Sequence, residues 1–269
     1  MADRVLPSDP VSQKRSRRAF VLGAAGVSAG LALGGTAAAE TASLAIPAPE
    51  PVTIAVAGSN ARFPVRRVYC LGRNYRAHAV EMGDDPDALP PFFFMKPRDS
   101  VAPAENGFSY PSETERLGYE MELVAALQSG GSNIAAADAL DCVYGYGVGL
   151  DMTRRDLQDV AKERGRPWEA SKSFDHSAPV GPLRPVGEVG HPQNNRIWLS
   201  VNGRIRQESS TAALRWGIAE SISILSKYFE LYPGDIILTG TPSGVGLVER
   251  GDTIRGGVDG IGEIEVPII

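Results

Sequence analysis

Glycine and proline interrupt the apolar sequence from Phe63 to the C-terminus so often that long uninterrupted elements have little room to form. The chain has 30 glycines and 20 prolines among 269 residues, and the apolar runs between them are as short as strands. Three segments are predicted as helices, at 74–82, 152–164 and 213–229. No segment is repeated along the chain. This balance, rich in strands with peripheral helices, favours an α+β fold over a doubly wound sheet.

Five apolar or alternating segments are predicted as strands, and one of them continues into a hairpin. They cover residues 65–71, 119–127, 143–151, 197–201 and 235–239. The pair Asn202-Gly203 after the fourth strand is typical of a tight hairpin turn, which makes 204–207 the returning strand. Glycines at alternate positions of 143–151 indicate that another part of the backbone approaches closely there.

The first 39 residues have the pattern of an export signal. A basic segment with Arg17-Arg18 is followed by an apolar run rich in glycine and alanine, and then by small residues at 36–39. This pattern predicts a twin-arginine-like signal peptide and a periplasmic or exported protein. The alternative is a disordered basic tail, or a start codon placed upstream of a cytoplasmic enzyme.

The segments next to this leader complete the predicted organisation. The apolar run is broken by glycines and is shorter than the about 20 residues that a membrane helix needs, so no stable membrane span is expected once the leader is removed. Residues 40–62 are rich in alanine, proline and threonine and are predicted as a linker. The folded domain is predicted at 63–269.

The charge of the predicted domain limits its partners. Removing the five basic and two acidic residues of the leader from the 27 and 32 of the whole chain leaves 22 basic and 30 acidic residues. This acidic balance argues against a nucleic-acid surface and against binding to an anionic membrane. An anionic small-molecule substrate would therefore need a local cation, either a metal ion or specific lysine and arginine side chains.

The cysteines and histidines do not suit a zinc centre. Cys70 and Cys142 have no zinc-ligand spacing and lie in apolar or glycine-rich sequence, so buried free thiols are expected. The three histidines of the chain are too few and too scattered for a multi-histidine zinc site. Oxygen ligands should therefore dominate any metal site.

Three carboxylates are placed so that they can hold a cation. Glu120 and Glu122 are two positions apart on the strand predicted at 119–127, so their side chains share one face. Asp151 ends the glycine-rich strand and supplies a third carboxylate. Since neighbouring negative charges are costly without a cation, the group suits a hard divalent ion such as Mg²⁺ or Mn²⁺. The alternative for the two glutamates is a solvated outer face.

Other side chains have the chemistry to activate water and bind an anion. His78 and Glu81 are neighbours at a helical spacing of three, where a carboxylate raises the basicity of an imidazole and fixes its tautomer. Lys172 has the charge to neutralise a developing oxyanion. Thr241 lies in a glycine-rich segment, 233–246, whose N–H groups suit a carboxylate. An ordinary surface pair and a solvated lysine are the alternatives. The segment lacks the Gly-Lys-Ser/Thr of a phosphate loop, which argues against nucleotide binding.

Six motifs then occur in a fixed order between residue 63 and the C-terminus. They are Leu-Gly-Arg-Asn-Tyr-x-x-His-x-x-Glu, Phe-Met-Lys-Pro, Tyr-Glu-x-Glu-Leu, Gly-Leu-Asp-Met-Thr-Arg-Arg-Asp-Leu-Gln, Lys-Ser-Phe-Asp and Gly-Asp-Ile-Ile-Leu-Thr-Gly-Thr-Pro. In this order they resemble the fumarylacetoacetate hydrolase family.

The resemblance implies a mixed β-roll with peripheral helices, a homodimer, and one Mg²⁺ or Mn²⁺ per subunit. Glu120, Glu122 and Asp151 would be the metal ligands, and His78 with Glu81 would activate water. The residues that would hold or stabilise the substrate are Lys172, Arg73, Tyr75, Arg155, Gln158 and Thr241.

The implied activity is hydrolysis of a carbon–carbon bond in a 2,4-dioxo acid of the acylpyruvate type. The segments Phe-Pro-Val-Arg-Arg-Val-Tyr-Cys, Pro-Pro-Phe-Phe-Phe and Phe-Asp-His-Ser-Ala-Pro are most similar to members that cleave fumarylpyruvate in gentisate breakdown. Oxaloacetate decarboxylation and isomerisation of a dioxo acid are alternatives for the same site, and a non-catalytic metal-binding protein is the alternative outside enzymes. Two features depart from the family: Tyr119 stands where many members have histidine, and the leader is unusual.

Overall fold

The computed structural model describes residues 44–83, 85–87 and 91–269. Residues Pro49–Ile269 form one compact unit. The predicted signal peptide lies outside the described residues. Among the residues that are described, no helix has the length and apolar character needed to cross a membrane.

Short strands dominate the fold. Within the described residues the chain forms seventeen strands, which are β1 (Thr53–Ala55), β2 (Arg62–Pro64), β3 (Val68–Gly72), β4 (Phe92–Lys96), β5 (Val101–Pro103), β6 (Leu117–Tyr119), β7 (Met121–Leu127), β8 (Val143–Leu150), β9 (Thr153–Arg154), β10 (Ala178–Val180), β11 (Arg184–Pro185), β12 (Arg196–Val201), β13 (Arg204–Ser210), β14 (Ile236–Leu238), β15 (Gly246–Val248), β16 (Thr253–Val258) and β17 (Gly262–Pro267).

The helices are short and lie between the strands. The described residues contain five α-helices, which are α1 (Arg76–Glu81), α2 (Arg155–Glu163), α3 (Glu169–Lys172), α4 (Val186–Val189) and α5 (Ile218–Leu225). Single turns of 3₁₀-helix are at Arg98–Ser100, Ala104–Asn106, Ala139–Cys142 and Thr211–Ala213.

The central sheet is mixed and strongly curled. Its strands follow the order β4-β3-β14-β7-β8-β10-β5, with β11 also paired to β8. Strand β14 is parallel to β3 and antiparallel to β7. The two edge strands, β4 and β5, are separated along the chain only by residues 97–100. Because each residue spans at most about 3.5 Å, the edges must approach each other, and the sheet closes into a half-barrel. The predicted α+β fold with a mixed β-roll is confirmed.

Both faces of this sheet are buried, which explains the nearly continuous apolar sequence of its middle strand. In β7, Leu123 and Ala125 pack in the larger core cluster, whereas Val124 and Ala126 pack in the smaller one. Side chains of a strand alternate between faces, so every residue of β7 is buried. Glu122 lies on the Val124 face, at the end of the smaller cluster.

The predicted strands and helices are found with shorter or shifted limits. The hairpin is confirmed, since β12 and β13 pair in antiparallel fashion and Asn202 and Gly203 both have positive φ. The helix predicted at 152–164 begins only at Arg155, because residues 153–154 pair with β6. The helix predicted at 213–229 is confined to Ile218–Leu225. It begins after Gly217, whose N–H donates to the Glu220 carboxylate at 2.9 Å.

The linker predicted at 40–62 is wrong for its second half. Residues 53–55 pair with 62–64 in a two-stranded sheet. Ile54 and Phe63 are buried in the smaller core cluster, and Ala57 N–H donates to the Leu183 carbonyl oxygen at 2.8 Å. The low-complexity composition concealed an alternation of apolar residues that is too short to stand out in the sequence.

Candidate active site

Three segments of chain cross together from the central sheet into a three-stranded sheet. Strands β7, β8 and β14 belong to the first sheet, while β6, β9 and β15 belong to the second. Glu120 lies at the crossing between β6 and β7, Asp151 between β8 and β9, and Gly240-Thr241 between β14 and β15. The Asp151 N–H donates to the Glu120 carbonyl oxygen at 2.9 Å. The fold therefore gathers residues that are more than a hundred positions apart at one junction.

The junction brings the three predicted carboxylates together. Glu120, Glu122 and Asp151 each offer an oxygen, and these oxygens lie within 4.8 Å of one another. The three residues are only 5%, 2% and 1% exposed. The alternative of a solvated outer face is therefore wrong, because the strand is covered on both sides.

Three buried cations surround this carboxylate cluster. The Lys172 ammonium lies 2.8 Å from Glu120 Oε2 and 2.7 Å from Asp151 Oδ2. Arg155 Nη2 lies 2.7 Å from Glu120 Oε1, and Lys96 Nζ lies 2.8 Å from Asp151 Oδ1. Burial opposes the ionisation of Glu120, but the charges of Lys172 and Arg155 outweigh it and hold the pKa of this carboxyl well below its usual range. Glu120 is therefore a carboxylate.

Glu122 is the exception among the three carboxylates. Among the described residues no lysine or arginine pairs with it, and it accepts a hydrogen bond from the Gly240 N–H at 2.7 Å. Burial, followed by the negative charges of Asp151 and Glu120, raises the pKa of the Glu122 carboxyl well above its usual range. An additional cation beside Glu122 would remove this penalty.

The donor set fits a hard divalent cation. Three carboxylate oxygens from separate chain segments are the ligands that Mg²⁺ and Mn²⁺ prefer. Asp151 Oδ1 is buried, and its close partner, Lys96 Nζ at 2.8 Å, makes an ion pair without a well-aligned hydrogen bond. This oxygen can therefore face a metal ion in addition to Lys96. Glu120, Glu122 and Asp151 are thus the residues that would hold the ion. Two of them, Glu120 and Asp151, also contact Lys172.

A histidine and a glutamate form the pair predicted on α1. His78 Nδ1 lies 3.0 Å from Glu81 Oε2, and the second oxygen of Glu81 accepts the Gly244 N–H at 2.9 Å. The His78 side chain is 8% exposed and the Glu81 side chain 31%. When Nδ1–H donates to the carboxylate, Nε2 is left able to take a proton. The pair therefore has the arrangement of a general base and its orienting carboxylate.

The loop 240–244 holds the carboxylates of Glu122 and Glu81 in place. Its Gly240 N–H binds Glu122 and its Gly244 N–H binds Glu81. Gln207 of β13, which is fully buried, donates from Nε2 to Thr241 Oγ1 and to the Pro242 carbonyl oxygen, each at 2.8 Å. Its Oε1 accepts the Met121 N–H at 3.0 Å.

One side-chain amide therefore joins the loop to the peptide between Glu120 and Glu122. The sequence does not predict a role for Gln207, because its strand belongs to a different sheet and its sequence surroundings are ordinary. Only the pairing of three distant segments reveals its place.

One cavity, with about 370 Å³ of empty space including its open mouth, contains most of the predicted residues. Glu81 lies behind His78, outside the lining. Tyr75 does not line the cavity either, since it is 1% exposed and packs in the larger core cluster. The predicted residues that line it are Arg73, His78, Glu120, Glu122, Asp151, Arg155, Gln158, Lys172 and Thr241.

Part of the remaining wall of the cavity is aromatic, and no sequence motif assigns these rings a role. Phe92 and Phe94 of β4 and Trp168 line it. The Trp168 ring centroid is 5.4 Å from that of Phe92 and 5.9 Å from that of Phe94. The alternation of Phe92, Phe94 and Lys96 on one strand face was the available signal.

Tyr119 precedes Glu120, and among the described residues no hydrogen bond joins its hydroxyl to the three carboxylates. It is 3% exposed and belongs to the larger core cluster. Burial raises the pKa of its hydroxyl above the usual value, so this hydroxyl stays protonated near neutral pH. A Cβ atom on Gly246 would lie 2.5 Å from the Tyr119 hydroxyl, so the tyrosine depends on a glycine opposite it in β15.

Comparison with known proteins identifies relatives of this chain. The family model for the C-terminal domain of fumarylacetoacetate hydrolase matches residues 67–269. The crystal structure of fumarylpyruvate hydrolase from Pseudomonas aeruginosa in complex with Mn²⁺ and pyruvate is 54% identical. It superimposes with a TM-score of 0.82 over 83% of this chain and 98% of that chain.

Two curated relatives carry a different name. Mitochondrial oxaloacetate tautomerase FAHD1 of Bos taurus is 41% identical over 198 residues, which is 73% of this chain and 88% of the relative. Oxaloacetate tautomerase YcgM of Escherichia coli K12 is 38% identical over 201 residues, or 74% of this chain and 90% of the relative. Similarity thus extends to proteins named for different reactions.

Proposed function

Because the chain belongs to the fumarylacetoacetate hydrolase family, we propose that it is a hydrolase that cleaves fumarylpyruvate to fumarate and pyruvate. The observation that carries this proposal is the pairing of His78 with Glu81 beside a buried carboxylate triad, in a chain 54% identical to a fumarylpyruvate hydrolase. A site that only bound a metal would not need an oriented base.

His78 is the group that removes a proton from water. Its Nδ1 is held by Glu81, so Nε2 accepts the proton as water oxygen bonds to C4, counting from the pyruvyl carboxylate. The C3–C4 bond then breaks, its electrons form the enolate of pyruvate, and C3 takes up a proton. Water and fumarylpyruvate thus give one fumarate and one pyruvate.

The divalent cation of the family, when bound, supplies a Lewis acid that polarises the 2-oxo group and stabilises enolate charge. The chain supplies the remaining positive charge. Lys172 is buried, and although burial favours its neutral form, Asp151 and Glu120 raise the pKa of its ammonium. It therefore stays charged and donates to an oxygen of the dioxo acid.

The polar residues around Lys172 orient the pyruvyl end. Arg155 Nη1 donates to Gln158 Oε1 at 3.0 Å, which fixes the guanidinium beside Glu120, and Thr241 is fixed by Gln207. Such fixed donors reduce the entropy cost of orienting a substrate.

The names of the curated relatives support a second candidate, conversion of oxaloacetate by tautomerisation or decarboxylation. It would use the same carboxylates and Lys172 but no attack by water on C4. The products separate the candidates, because only hydrolysis gives fumarate and pyruvate in equal amounts.

The test is a substrate screen with the full chain and Mn²⁺. Fumarylpyruvate, maleylpyruvate, acetylpyruvate and oxaloacetate would be compared by kcat/KM, with chelator as control. We expect fumarylpyruvate to be preferred and chelator to abolish turnover. Preference for oxaloacetate would overturn the substrate, and tight Mn²⁺ binding without any turnover would favour a metal-binding protein.

We further propose, from the sequence, that the enzyme is a homodimer and that its leader directs export. Light scattering of the purified chain and fractionation of expressing cells measure these properties separately. A monomer, or a protein confined to the cytoplasm, would contradict the respective proposal.

A further inference from the structure

The cavity has an outer end that the chemistry of the triad does not use. Strand β4 runs along it with Phe92, Phe94 and Lys96 on one face, and Lys96 contacts Asp151 at the inner end. At about 3.3 Å per residue, Phe92 lies about 13 Å farther along the strand than Lys96. The side chains around Phe92 therefore meet a part of the ligand that is remote from the triad.

Helix α2 runs outward in the same way. Arg155, at its start, contacts Glu120, and Gln158 contacts Arg155. Lys162 is seven positions after Arg155 on the same side of the helix, or about 10 Å farther at about 1.5 Å per residue. All three line the cavity.

The two outer ends meet at Trp168. The Trp168 ring contacts Phe92 at 5.4 Å between centroids, and the Lys162 ammonium lies 5.7 Å from the Trp168 ring centroid. The Arg73 guanidinium lies 5.3 Å from the Phe92 ring centroid. The outer end thus combines two cations with two aromatic rings.

Charge is divided along the cavity. Among the described residues that line it, the acidic side chains all belong to the triad at the inner end. Phe94 lies between the two ends on β4, and the outer end carries the cations Arg73 and Lys162 beside the rings of Phe92 and Trp168. From the inner to the outer end, these surfaces suit a ligand with a dioxo-acid head, a short apolar segment and a terminal anion.

We infer that Lys162 and Arg73 select substrates by binding a second, terminal carboxylate, with Phe92 and Trp168 enclosing the apolar segment before it. This inference rests on the proposed function and specifies its substrate class: a dioxo dicarboxylate with an unsaturated acyl group between the head and the terminal carboxylate. Oxaloacetate is too short to reach from the triad to Phe92, and acetylpyruvate lacks the second carboxylate.

The placement of Phe92 depends on a glycine opposite it. Gly72 pairs with Phe92 across β3 and β4, and a Cβ on Gly72 would lie 2.0 Å from the Phe92 ring. The ring lies over the glycine backbone, so the missing side chain creates the space that it occupies. Arg73, the next residue, has φ of 59°, a left-handed conformation that is unusual for a side chain other than glycine, asparagine or aspartate. With the backbone in this conformation, the Arg73 guanidinium lies beside the Phe92 ring.

The experiment compares two substrates in matched variants of the full chain with Mn²⁺. Lys162→Gln removes the outer charge, Lys162→Arg restores it, and Lys227→Gln is the control, because Lys227 is exposed in the turn after α5 and does not line the cavity. A lost charged hydrogen bond lowers affinity about tenfold to a hundredfold. We expect this loss in kcat/KM for fumarylpyruvate, mainly through KM, and a loss at least about tenfold smaller for acetylpyruvate.

Equal losses for both substrates, or no loss for fumarylpyruvate, would overturn the inference. A binding measurement separates this failure from failure of the proposed function. Calorimetric titration compares fumarate with crotonate, which has one carboxylate fewer. We expect wild type to bind fumarate more tightly and Lys162→Gln to lose that preference. If wild type hydrolysed no acylpyruvate yet kept the preference, the proposed reaction would fail and the outer carboxylate site would stand. Equal binding of both acids by wild type would overturn the site.

Discussion

The inner and outer ends of the cavity are built in different ways. At the inner end, Glu120, Glu122 and Asp151 are at most 5% exposed and are held by contacts of 2.7–2.8 Å with residues of other segments. At the outer end, Phe92 and Trp168 are only half-buried and meet through ring contacts. The inner end cannot change without disturbing three chain crossings, whereas the outer end can change one side chain at a time.

This difference explains how one fold can accompany several activities. The reaction requires the junction of two sheets, because two of the three carboxylates lie at strand crossings. Selection of the acyl group, as proposed above, depends on Arg73, the end of β4, the end of α2 and Trp168. Relatives named fumarylpyruvate hydrolase and oxaloacetate tautomerase share much of this chain's sequence, as expected if substrate choice depends on few positions.

The largest effect should come from Glu122→Gln at the inner end. The amide keeps the shape of the side chain but removes one of three negative ligands, so we expect Mn²⁺ affinity to fall at least about a hundredfold, in line with the sensitivity of metal sites, and turnover to disappear. The fold should remain stable, because the buried Glu122 charge is already disfavoured by burial and by Asp151. Mn²⁺ titration calorimetry and thermal unfolding measure the two properties. Unchanged Mn²⁺ affinity would contradict the triad.

His78→Ala should separate chemistry from cation binding. Loss of a general base lowers kcat by about 10²- to 10⁴-fold, while Mn²⁺ affinity should match wild type. Steady-state kinetics and the same calorimetry test this. If turnover persisted at the wild-type rate, the pairing of His78 with Glu81 would have no catalytic role, and water would need another base.

Gln207→Leu should have an intermediate effect, because it loosens the inner end without touching substrate. The Met121 N–H and Thr241 would lose their partner, and an unsatisfied buried group costs about 1–3 kcal/mol. We expect lower thermal stability and kcat/KM reduced about tenfold for fumarylpyruvate and acetylpyruvate alike. A loss confined to fumarylpyruvate would assign Gln207 to substrate selection. It would contradict the claim that residues of the inner end affect both substrates alike.

Gly72→Ala should give the smallest effect and confine it to the outer end. The new Cβ would displace the Phe92 ring, so we expect KM for fumarylpyruvate to rise a few fold, about 1 kcal/mol or less in binding, with kcat unchanged. Gly187→Ala is the matched control, since nothing lies within 4 Å of a Cβ there. Equal effects of the two substitutions would contradict the claim that Gly72 provides the space for the Phe92 ring.

The sequence predicted the inner end better than its surroundings. Motif spacing identified Glu120, Glu122, Asp151, His78 and Glu81, because each lies in a short local pattern. It missed the break between β6 and β7 at Glu120, since a strand that changes sheets still alternates apolar and polar residues. It also missed Lys96 and Gln207, whose partners come from long-range pairing and from the curl of the sheet. Of the outer end the sequence identified Arg73 only, through the family resemblance; Phe92 and Trp168 were missed because aromatic side chains usually indicate core.

The central claim is that reaction and selection are separate, and a double-mutant cycle between His78 and Lys162 tests it most directly. Kinetics on fumarylpyruvate would be measured for wild type, His78→Ala, Lys162→Gln and the double variant. The account predicts that the free-energy effects on kcat/KM add within about 0.5 kcal/mol, as independent sites do. A coupling energy above about 1 kcal/mol would contradict it and show that the two ends act as one unit.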